Sequence, residues 1–410
     1  MSSTDLAGGF PPARDFCVIN LGCKVNRTES DTIAAALLAC GGRRTSREDA
    51  DLIVVNTCIV TGEAEKKTRK AVRGALRANA RAAVVVTGCA VAIDASPWEL
   101  LDPRVRAIPR AELLGAVSDL DSRDLLRLGD AFRTRVNIKV QDGCDHACTY
   151  CIVRRARGRA SSAPFRQVCD EVAAYSARGA GEVVLAGIDL GSYRSDGKGL
   201  AALLDALREI CARQAPPGSR PCRIRISSIE PRSVDADLIA LLAESDGAVC
   251  RHLHLPLQSG SSRVLAQMGR PYDAGFYRKL VGQLYRRVPS LSLSTDIICG
   301  FPGETDADFE ETCTVAREAR FSKIHGFPYS PREGTPAAAR TDQVPPARKA
   351  ERTARLLAVG DRLREEDRQR RRGTTELVLI EPVSGLTESY HEIPWKGDFR
   401  VGDLVPLALP

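Results

Sequence analysis

The chain has 410 residues, and at about 150 residues per domain this length suggests two or three domains. It is 43% hydrophobic and 27% charged, as globular proteins are, and no uncharged apolar run approaches the roughly 18 residues of a transmembrane helix. The formal net charge of +7 is a mild excess, which is compatible with nucleic-acid binding but does not require it.

Cysteine is the unusual part of the composition. The 14 cysteines are too few for a disulfide scaffold in a chain of this length. The stretch from Met1 to Arg14 lacks the basic and apolar regions of a secretory signal, so we expect a cytoplasmic protein with no membrane partner. In a reducing compartment, patterned cysteines bind metals or take part in chemistry more often than they form disulfides.

Strands and helices alternate in the first part of the chain, which favours an α/β domain with a parallel sheet. Three apolar runs alternate with two helical stretches: Phe16–Leu21, Glu29–Ala39, Asp51–Asn56, Ala64–Ala78 and Ala82–Val86. Each of the three runs leads to a cysteine, namely Cys23, Cys58 or Cys89. Because ligands gather at the carboxyl ends of parallel strands, we expect these cysteines to converge.

A second α/β pattern follows a connector at 97–135, and its six strands fit a partial or full α/β barrel. These strands are predicted at Val136–Val140, Glu182–Ala186, Arg223–Ser227, His252–Pro256, Leu291–Ile298 and Lys323–Phe327. A charged helix is predicted at Ala347–Arg372, and its ten Lys or Arg against five Asp or Glu could add phosphate contacts. The segment 373–410 switches to short strands and predicts a small β-domain or barrel.

The sharpest motif is a C-x3-C-x2-C run formed by Cys144, Cys148 and Cys151, directly after a predicted strand. Three thiolates at this spacing can hold three corners of a cubane iron–sulfur cluster and leave one iron open. The alternatives are a zinc site or a chance cluster of thiols. Zinc requires a fourth ligand, and His146 is poorly placed inside the first loop, so the pattern favours the iron–sulfur cluster.

With Tyr150 before its last cysteine, this run resembles the motif of the radical S-adenosylmethionine enzymes. The resemblance implies that Cys144, Cys148 and Cys151 bind a catalytic [4Fe–4S] cluster. It also implies that the open iron chelates S-adenosylmethionine, which is cleaved to a 5′-deoxyadenosyl radical.

The segments around Cys23, Cys58 and Cys89 resemble the amino-terminal domain of the methylthiotransferases within that superfamily. There the three cysteines hold a second [4Fe–4S] cluster that carries the sulfur to be inserted. The resemblance extends over 16–410. For the other eight cysteines we expect core packing: Cys17, Cys40, Cys169, Cys211, Cys222, Cys250, Cys299 and Cys313.

The resemblance implies an α/β chain with three domains. A methylthiotransferase domain with the second cluster would span 1–130. A radical S-adenosylmethionine core, built as a partial (βα)6 or TIM-like barrel, would span 131–372. A short TRAM-like RNA-binding β-barrel would span 373–410.

Residues at strand ends of the core are expected to contact S-adenosylmethionine: Asp189, Glu230, Gln258, Ser259, Gly300 and Gly303. Three of these residues have structural alternatives. Glu230 could form a buried salt bridge. Gly300 and Gly303 could form a tight turn before a helix that Thr305 or Asp306 caps.

The substrate is suggested by Gly22-Cys23-Lys24-Val25-Asn26, which resembles the subgroup acting on N6-threonylcarbamoyladenosine (t6A) at position 37 of tRNA. The segment from Gly385 to Tyr390 resembles the same subgroup. The product would carry a 2-methylthio group at C2 of the adenine. The t6A carboxylate would be bound by Arg154, Arg155 and Arg157.

Three alternatives remain open at this point. Related subgroups act on isopentenyladenosine in tRNA or on an aspartate of a ribosomal protein. In another class, a non-catalytic iron–sulfur protein that binds RNA or senses redox state would form clusters without cleaving S-adenosylmethionine. A sulfur donor and an electron donor are also required, and the sequence identifies neither.

Overall fold

The computed structural model describes the residues 14–115, 134–215 and 217–410. They form two compact units. Unit 1 consists of 14–115, 142–145 and 151–159, and unit 2 consists of 134–141, 146–150 and the described residues from 160 onward. The predicted boundary at 130/131 and most of the second half of the predicted connector lie outside the described residues. In the described ranges, no helix is both long and apolar enough to cross a membrane.

Unit 1 is built on a five-stranded parallel sheet with the strand order β2-β1-β3-β4-β5. Its elements are β1 Asp15–Asn20, α1 Lys24–Ala39, β2 Arg43–Arg44, β3 Leu52–Thr57, α2 Gly62–Ala78, β4 Ala83–Gly88, α3 Cys89–Ile93, α4 Ser96–Glu99, β5 Val105–Ala107, α5 Arg110–Gly115 and α6 Val153–Arg157. All six residues of the central strand β3 are buried, as expected for a parallel strand covered on both faces. The predicted parallel α/β domain is therefore confirmed. The edge strands β2 and β5 were not predicted because two or three residues are too short to show a periodic pattern.

Helix α1 begins at Lys24, five residues before the predicted start at Glu29. Its first two turns bury polar side chains, those of Asn26, Glu29 and Ser30. Because these buried positions are not apolar, hydrophobic periodicity gave no signal there.

Unit 2 contains six parallel strands in two sheets, β10-β9-β6 and β11-β12-β13. The remaining elements from 135 to 371 are β6 Arg135–Lys139, β7 Gln141–Asp142, β8 Ser161–Ser162, α7 Phe165–Ala177, β9 Glu182–Ala186, α8 Leu200–Gln214, β10 Arg223–Ile226, α9 Ala236–Glu244, β11 His252–His254, α10 Ser262–Gln267, α11 Ala274–Arg287, β12 Ser292–Cys299, α12 Asp306–Glu318, β13 Lys323–Pro328 and α13 Pro346–Arg371. Isolated parallel bridges join Ile224 to Val249 and Ser228 to His254, so the six strands follow one another in chain order. All six predicted strands are confirmed.

The C-terminal segment forms a four-stranded antiparallel sheet with the order β16-β15-β14-β17. Its strands are β14 Thr375–Ile380, β15 Gly385–Thr387, β16 Glu392–Ile393 and β17 Leu404–Ala408. This sheet agrees with the predicted small β-domain. It belongs to the same compact unit as the six parallel strands, so the predicted boundary at 372/373 does not separate two compact units.

A buried ion cluster links the C-terminal sheet to β9 and β10 inside unit 2. Glu182 is fully buried and accepts hydrogen bonds from Arg223 Nε and Arg225 Nε, both at 2.7 Å. The same guanidinium groups donate to backbone oxygens of the C-terminal sheet, including Leu386 at 2.9 Å and Thr387 at 3.0 Å. Each buried charge therefore has a partner, and the cluster holds the sheet against the parallel strands.

Candidate functional site

Three cysteines lie at the carboxyl edge of the unit 1 sheet. Cys23 precedes α1, Cys58 follows β3, and Cys89 begins α3 directly after β4. Their strands are neighbours in the order β1-β3-β4. Burial raises the pKa values of Cys58 and Cys89, and the charges of neighbouring thiols in the set add to this rise. Cys58 and Cys89 are buried whereas Cys23 is exposed, so the group of sulfur atoms has a buried side and an open side.

The turn between β4 and α3 is defined by a glycine and a threonine. Gly88 has a φ of +95°, and a Cβ there would lie 2.4 Å from Asn56 Oδ1, so only glycine fits. The Thr57 hydroxyl donates to the backbone oxygen of Thr87 at 2.6 Å and accepts from the backbone N–H of Ala90 at 3.2 Å. These contacts fix the carboxyl end of β3 beside the carboxyl end of β4.

A buried arginine lies beside these cysteines in unit 1. Arg157 of α6 donates through Nη1 to Glu29 Oε1 at 3.0 Å and to Asp142 Oδ1 at 2.9 Å, and through Nη2 to Asn26 Oδ1 at 3.1 Å. The same Asn26 oxygen accepts from Cys23 Sγ at 3.2 Å. The short helix that follows the C-x3-C-x2-C run therefore contributes a cation to the cysteine edge of unit 1.

Burial and a neighbouring cation act in opposite directions on the thiol pKa at this edge of the sheet. The pKa of the Cys89 thiol is raised to about 11, chiefly by burial, while the guanidinium of Arg157 opposes the rise and Cys58 contributes to it. For Arg157, burial disfavours the charge, but Cys89 and Glu29 outweigh it and raise its pKa above the ordinary value. A cation held in this position favours the thiolate form that binds a metal.

The three arginines predicted to bind the t6A carboxylate do not form a single group. Arg154 and Arg155 are exposed on α6, whereas the side chain of Arg157 is only 1% exposed and paired with Glu29 and Asp142. One helical turn separates Arg154 from Arg157, and packing decides which of them faces inward. We therefore assign the positive charge of Arg157 to the interior of unit 1 and not to a substrate.

Two of the cysteines of the C-x3-C-x2-C run, Cys144 and Cys151, belong to the short segments assigned to unit 1, and both are half-buried. The backbone N–H of Cys144 donates to the oxygen of Gly158 at 3.2 Å. Gly143 has a φ of +67°, and a Cβ there would lie 2.0 Å from the backbone oxygen of Arg159. The glycine before the first cysteine is therefore required because two backbone segments approach each other closely there.

The remaining cysteine of the run, Cys148, contacts a buried arginine in unit 2. Arg270 Nη1 donates to Cys148 Sγ at 3.2 Å, Nη2 forms an ion pair with Glu230, and Nε donates to the Tyr272 hydroxyl at 3.2 Å. Burial raises the pKa of Glu230, while Arg270 and His146 act against this shift. The structural alternative for Glu230, a buried salt bridge, is therefore present. The sequence reasoning did not identify Arg270.

The chain on either side of Cys148 is held by the turn after α10. The backbone N–H of Thr149 donates to the oxygen of Met268 at 2.9 Å. Gly269 has a φ of +69°, and a Cβ there would lie 3.1 Å from the oxygen of Ala147, so the turn lies directly against the cysteine segment. A glycine followed by an arginine and a proline in Met268–Tyr272 is the only sequence signal for this contact.

A histidine of the C-x3-C-x2-C run is hydrogen-bonded to a buried carboxylate of unit 2. His146 Nε2 is 3.1 Å from Asp189 Oδ2, and this hydrogen bond raises the pKa of His146. The backbone N–H groups of Ile188 and Asp189 donate to Gln141 Oε1 at 2.9 and 2.8 Å, which fixes the turn after β9. Among the described residues, Asp189 Oδ1 and Glu230 Oε1 are buried without a hydrogen-bond partner. Two orphaned carboxylate oxygens suit a cationic or N–H-bearing ligand.

Gln258 and Ser259 form the connection after β11. Gln258 has a φ of +64°, which is rare for a residue with a side chain, and its backbone N–H donates to the backbone oxygen of Asp296 at 2.9 Å. Ser259 is buried, accepts from the N–H of Ser261 at 3.2 Å and lies 3.3 Å from the Thr312 hydroxyl. Its hydroxyl therefore stabilises the loop.

Gly300 and Gly303 form the turn between β12 and α12, with φ values of +75° and +73°. The N–H of Gly300 donates to Glu304 Oε1 at 2.9 Å. Thr305 is the N-cap of α12 and forms a capping box with Asp308. The tight-turn interpretation of this segment is confirmed, and Thr305, not Asp306, is the cap.

Comparison with protein families gives two matches. Residues 138–316 match the Radical SAM superfamily. Residues 15–108 match a family described as Uncharacterized protein family UPF0004. The two matched ranges correspond to the parts of the sequence that contain the two sets of three cysteines.

Curated relatives match almost the whole chain. The threonylcarbamoyladenosine tRNA methylthiotransferase MtaB of Chlamydia pneumoniae is 36% identical over 96% of this chain and 95% of the relative. The corresponding protein of Bacillus subtilis is 35% identical over 95% of this chain and 92% of its own. A tRNA-2-methylthio-N(6)-dimethylallyladenosine synthase of Chlorobium phaeovibrioides is 34% identical over 97% of this chain and 94% of its own.

Among solved structures, the fold is similar to a radical S-adenosylmethionine methyltransferase, TsrM, from Kitasatospora setae, whose structure has cobalamin and a [4Fe–4S] cluster bound. The TM-score is 0.54 at 16% identity, over 80% of this chain and 77% of that protein. At this level of identity the similarity concerns the fold alone.

Proposed function

Because the chain belongs to the methylthiotransferase family of radical S-adenosylmethionine enzymes, we propose that it converts t6A in tRNA to its 2-methylthio form. The observation that carries this proposal is the whole-length match to relatives that bear the threonylcarbamoyladenosine name. Gly22-Cys23-Lys24-Val25-Asn26 supports the same subgroup. A tRNA substrate would place the reaction in the cytoplasm.

The donor sets fit two iron–sulfur clusters with S-adenosylmethionine. In this proposal Cys144, Cys148 and Cys151 hold the catalytic [4Fe–4S] cluster, and a second one is held by the three strand-end cysteines of unit 1. Sets of three thiolates leave one iron of a cubane cluster open. When bound, these groups would supply a 5′-deoxyadenosyl radical that removes hydrogen from C2 of the adenine, and the sulfur that replaces it.

The buried carboxylates of unit 2 would orient S-adenosylmethionine. Asp189 Oδ1 and Glu230 Oε1 lack partners among the described residues, and a bound ammonium group would satisfy them. Gln258 has a strained backbone and a half-buried side chain, and with Ser259, Gly300 and Gly303 it is proposed to border the same cofactor. For Ser259 and the two glycines this contact would come from the backbone, because the Ser259 hydroxyl is already hydrogen-bonded.

The tRNA would be contacted by exposed cations. Arg154 and Arg155 remain candidates for the t6A carboxylate, since both are exposed whereas Arg157 is not. We propose that the six parallel strands form a partial barrel and that the C-terminal sheet is a short TRAM-like RNA-binding domain. Thr387 and Ser389 are fully buried, so contacts with RNA would come from exposed positions such as Lys396 and Arg400.

The decisive experiment uses the full chain, reconstituted anaerobically with iron and sulfide. It is supplied with S-adenosylmethionine, a chemical reductant and tRNA that carries t6A. Mass spectrometry of the digested nucleosides should show 2-methylthio-t6A, and chromatography should show 5′-deoxyadenosine. No 5′-deoxyadenosine in the presence of an intact cluster spectrum would support the non-catalytic alternative and contradict the proposal.

A second candidate substrate has one specific observation in its favour. Relatives named for dimethylallyladenosine are 34% identical over 97 or 98% of this chain, close to the values for the threonylcarbamoyladenosine group. A parallel assay on tRNA carrying isopentenyladenosine separates the two substrates. Methylthiolation of that tRNA alone, or of a ribosomal-protein aspartate, would replace the t6A assignment and keep the enzyme class.

A further inference from the structure

Helix α2 of unit 1 carries an exposed row of positive charges. Its 17 residues contain six Lys or Arg and two Glu, and Thr68, Val72 and Ala75 are its buried residues. At 100° per residue, Lys66, Lys70, Arg73 and Arg77 lie on the opposite side of the helix from the buried positions. All four are exposed, and we call this row the basic ridge. It extends about 16 Å along the helix.

Most cations of the basic ridge are not neutralised by neighbouring side chains. Lys66 is 3.0 Å from Glu63, but both side chains are more than 70% exposed. In the part of the chain that the structure describes, Lys70, Arg73 and Arg77 form no ion pair.

The basic ridge also weakens the helix on which it lies. Like charges three or four residues apart on a helix destabilise it by about 0.2–0.5 kcal/mol per pair, and the ridge contains several such pairs. A row of cations that costs stability, and in which Lys70, Arg73 and Arg77 have no ion pair among the described residues, is suited to a polyanion.

Helix α13, the most basic stretch of the sequence, has a different arrangement. Lys349, Arg352 and Arg371 are buried among carboxylates and backbone oxygens of unit 2. On its surface, Arg348 pairs with Glu351 and Arg370 pairs with Asp367. Six of the nine cations of α13 are therefore buried or paired within unit 2, Arg355 with Glu310 among them. The other three, Arg362, Arg364 and Arg368, are interspersed in the sequence with Asp361, Glu365, Glu366 and Asp367. This is why α2, and not α13, provides the less neutralised surface.

We propose that the basic ridge of α2 binds the phosphate backbone of the tRNA substrate. The inference deepens the proposed function, on which it rests, by assigning an RNA contact to unit 1. Lys66 lies eight residues after Cys58, so the ridge begins within about two helical turns of the loop that carries that cysteine. Each phosphate that a cation neutralises releases counterions, which makes the affinity strongly dependent on salt.

The test uses the cluster-reconstituted full chain and tRNA carrying t6A. The variant Lys70→Gln/Arg73→Gln/Arg77→Gln should bind about tenfold more weakly at low salt. Its slope of log K against log salt should be reduced by about two to three, because each lost phosphate contact contributes about 0.7–0.9. The charge-conserving variant Lys70→Arg/Arg73→Lys/Arg77→Lys should retain the affinity and the slope.

A matched control neutralises three surface arginines that are already paired with carboxylates, as Arg213→Gln/Arg278→Gln/Arg348→Gln. This control should change the slope by less than one. Equal losses in the ridge variant and the control would show a general effect of net charge and would overturn the proposal. The ridge variant should unfold at the same or a higher denaturant concentration than wild type, because like-charge repulsion is removed.

The outcomes separate the two levels of inference. If wild type binds and modifies the tRNA while the ridge variant keeps its affinity and slope, the ridge assignment alone is overturned, and an acidic protein partner becomes the better occupant. If wild type neither binds nor modifies the tRNA, the proposed function fails, and the ridge assignment fails with it.

Discussion

The guanidinium of Arg270 donates a hydrogen bond to Cys148 Sγ at 3.2 Å and is at the same time paired with the buried carboxylate of Glu230. A cation next to a cluster ligand stabilises the reduced cluster, which carries one more negative charge, and so raises the reduction potential. Glu230 acts in the opposite direction through its negative charge. The two residues should therefore set the potential of the cluster proposed at Cys148 as an opposed pair.

We expect Arg270→Met to lower the midpoint potential of this cluster and Glu230→Gln to raise it. The measurement is a spectroelectrochemical titration, made in a chain whose Cys23, Cys58 and Cys89 are replaced by Ala so that a single cluster contributes. Iron content per chain serves as the control for cluster assembly. Shifts in the same direction, or no shift with full iron content, would show that the pair has only a structural role.

Substitutions in the two sets of three cysteines should abolish different products. We expect Cys148→Ala to abolish formation of 5′-deoxyadenosine, whereas Cys58→Ala should retain it and lose the methylthio product. The reason is that cleavage needs only the cluster proposed at the C-x3-C-x2-C run. Both products are measured in one reaction, and Cys313→Ala, which changes a buried cysteine outside both sets, is the control. Full methylthio product from Cys58→Ala would contradict the second cluster.

Arg157 should be required for the stability of unit 1. Arg157→Met leaves the buried Glu29 without this partner, and breaking a buried ion pair costs about 3–5 kcal/mol. We expect that loss in the free energy of unfolding of the metal-free protein, together with reduced iron binding when Cys144, Cys148 and Cys151 are replaced by Ala. Arg154→Met, on the exposed side of the same helix, should change stability by less than about 0.5 kcal/mol. Similar effects of the two substitutions would argue against the buried network.

The stability of unit 2 should depend on pH through Glu182. Burial by itself would raise the pKa of this carboxyl, but Arg225 and Arg223 outweigh burial and lower it to about 2 from the ordinary 4.5. Since the folded-state pKa is depressed, the stabilisation is complete above the ordinary pKa and is lost as the pH falls from about 5 toward 2.

We expect Glu182→Gln to reduce the free energy of unfolding by about 3–5 kcal/mol at pH 7 and to flatten its decrease between pH 5 and 3. Urea unfolding of the metal-free protein at several pH values measures both effects. The exposed Glu209→Gln is the matched control, because its pair with Arg213 should contribute little. A parallel pH dependence in wild type and Glu182→Gln would contradict the assignment.

Much of the fold could be predicted because the relevant signals are local. The strands β3, β4 and β9 are rich in Val, Ile and Leu and almost completely buried, so their apolar runs are visible in the sequence. The six parallel strands of unit 2 are all predicted from the sequence. The short edge strands β2 and β5 and the start of α1 were missed. Two or three residues show no period, and the first turns of α1 bury Asn26 and Glu29, which a hydrophobic pattern cannot detect.

By itself the sequence determined which side chains are available as cluster ligands. The spacing of Cys144, Cys148 and Cys151 and the cysteines that follow three strands are covalent facts, and they already indicated two sites with three thiolates each. Only the tertiary structure decided which cations lie beside those cysteines. Arg154 and Arg157 are one helical turn apart, yet one is exposed and the other is paired in the interior. Arg270 is 122 residues from Cys148 in sequence and donates to its sulfur. Packing determines where a long charged side chain is directed, because a buried guanidinium is stable only where carboxylates and other hydrogen-bond acceptors surround it.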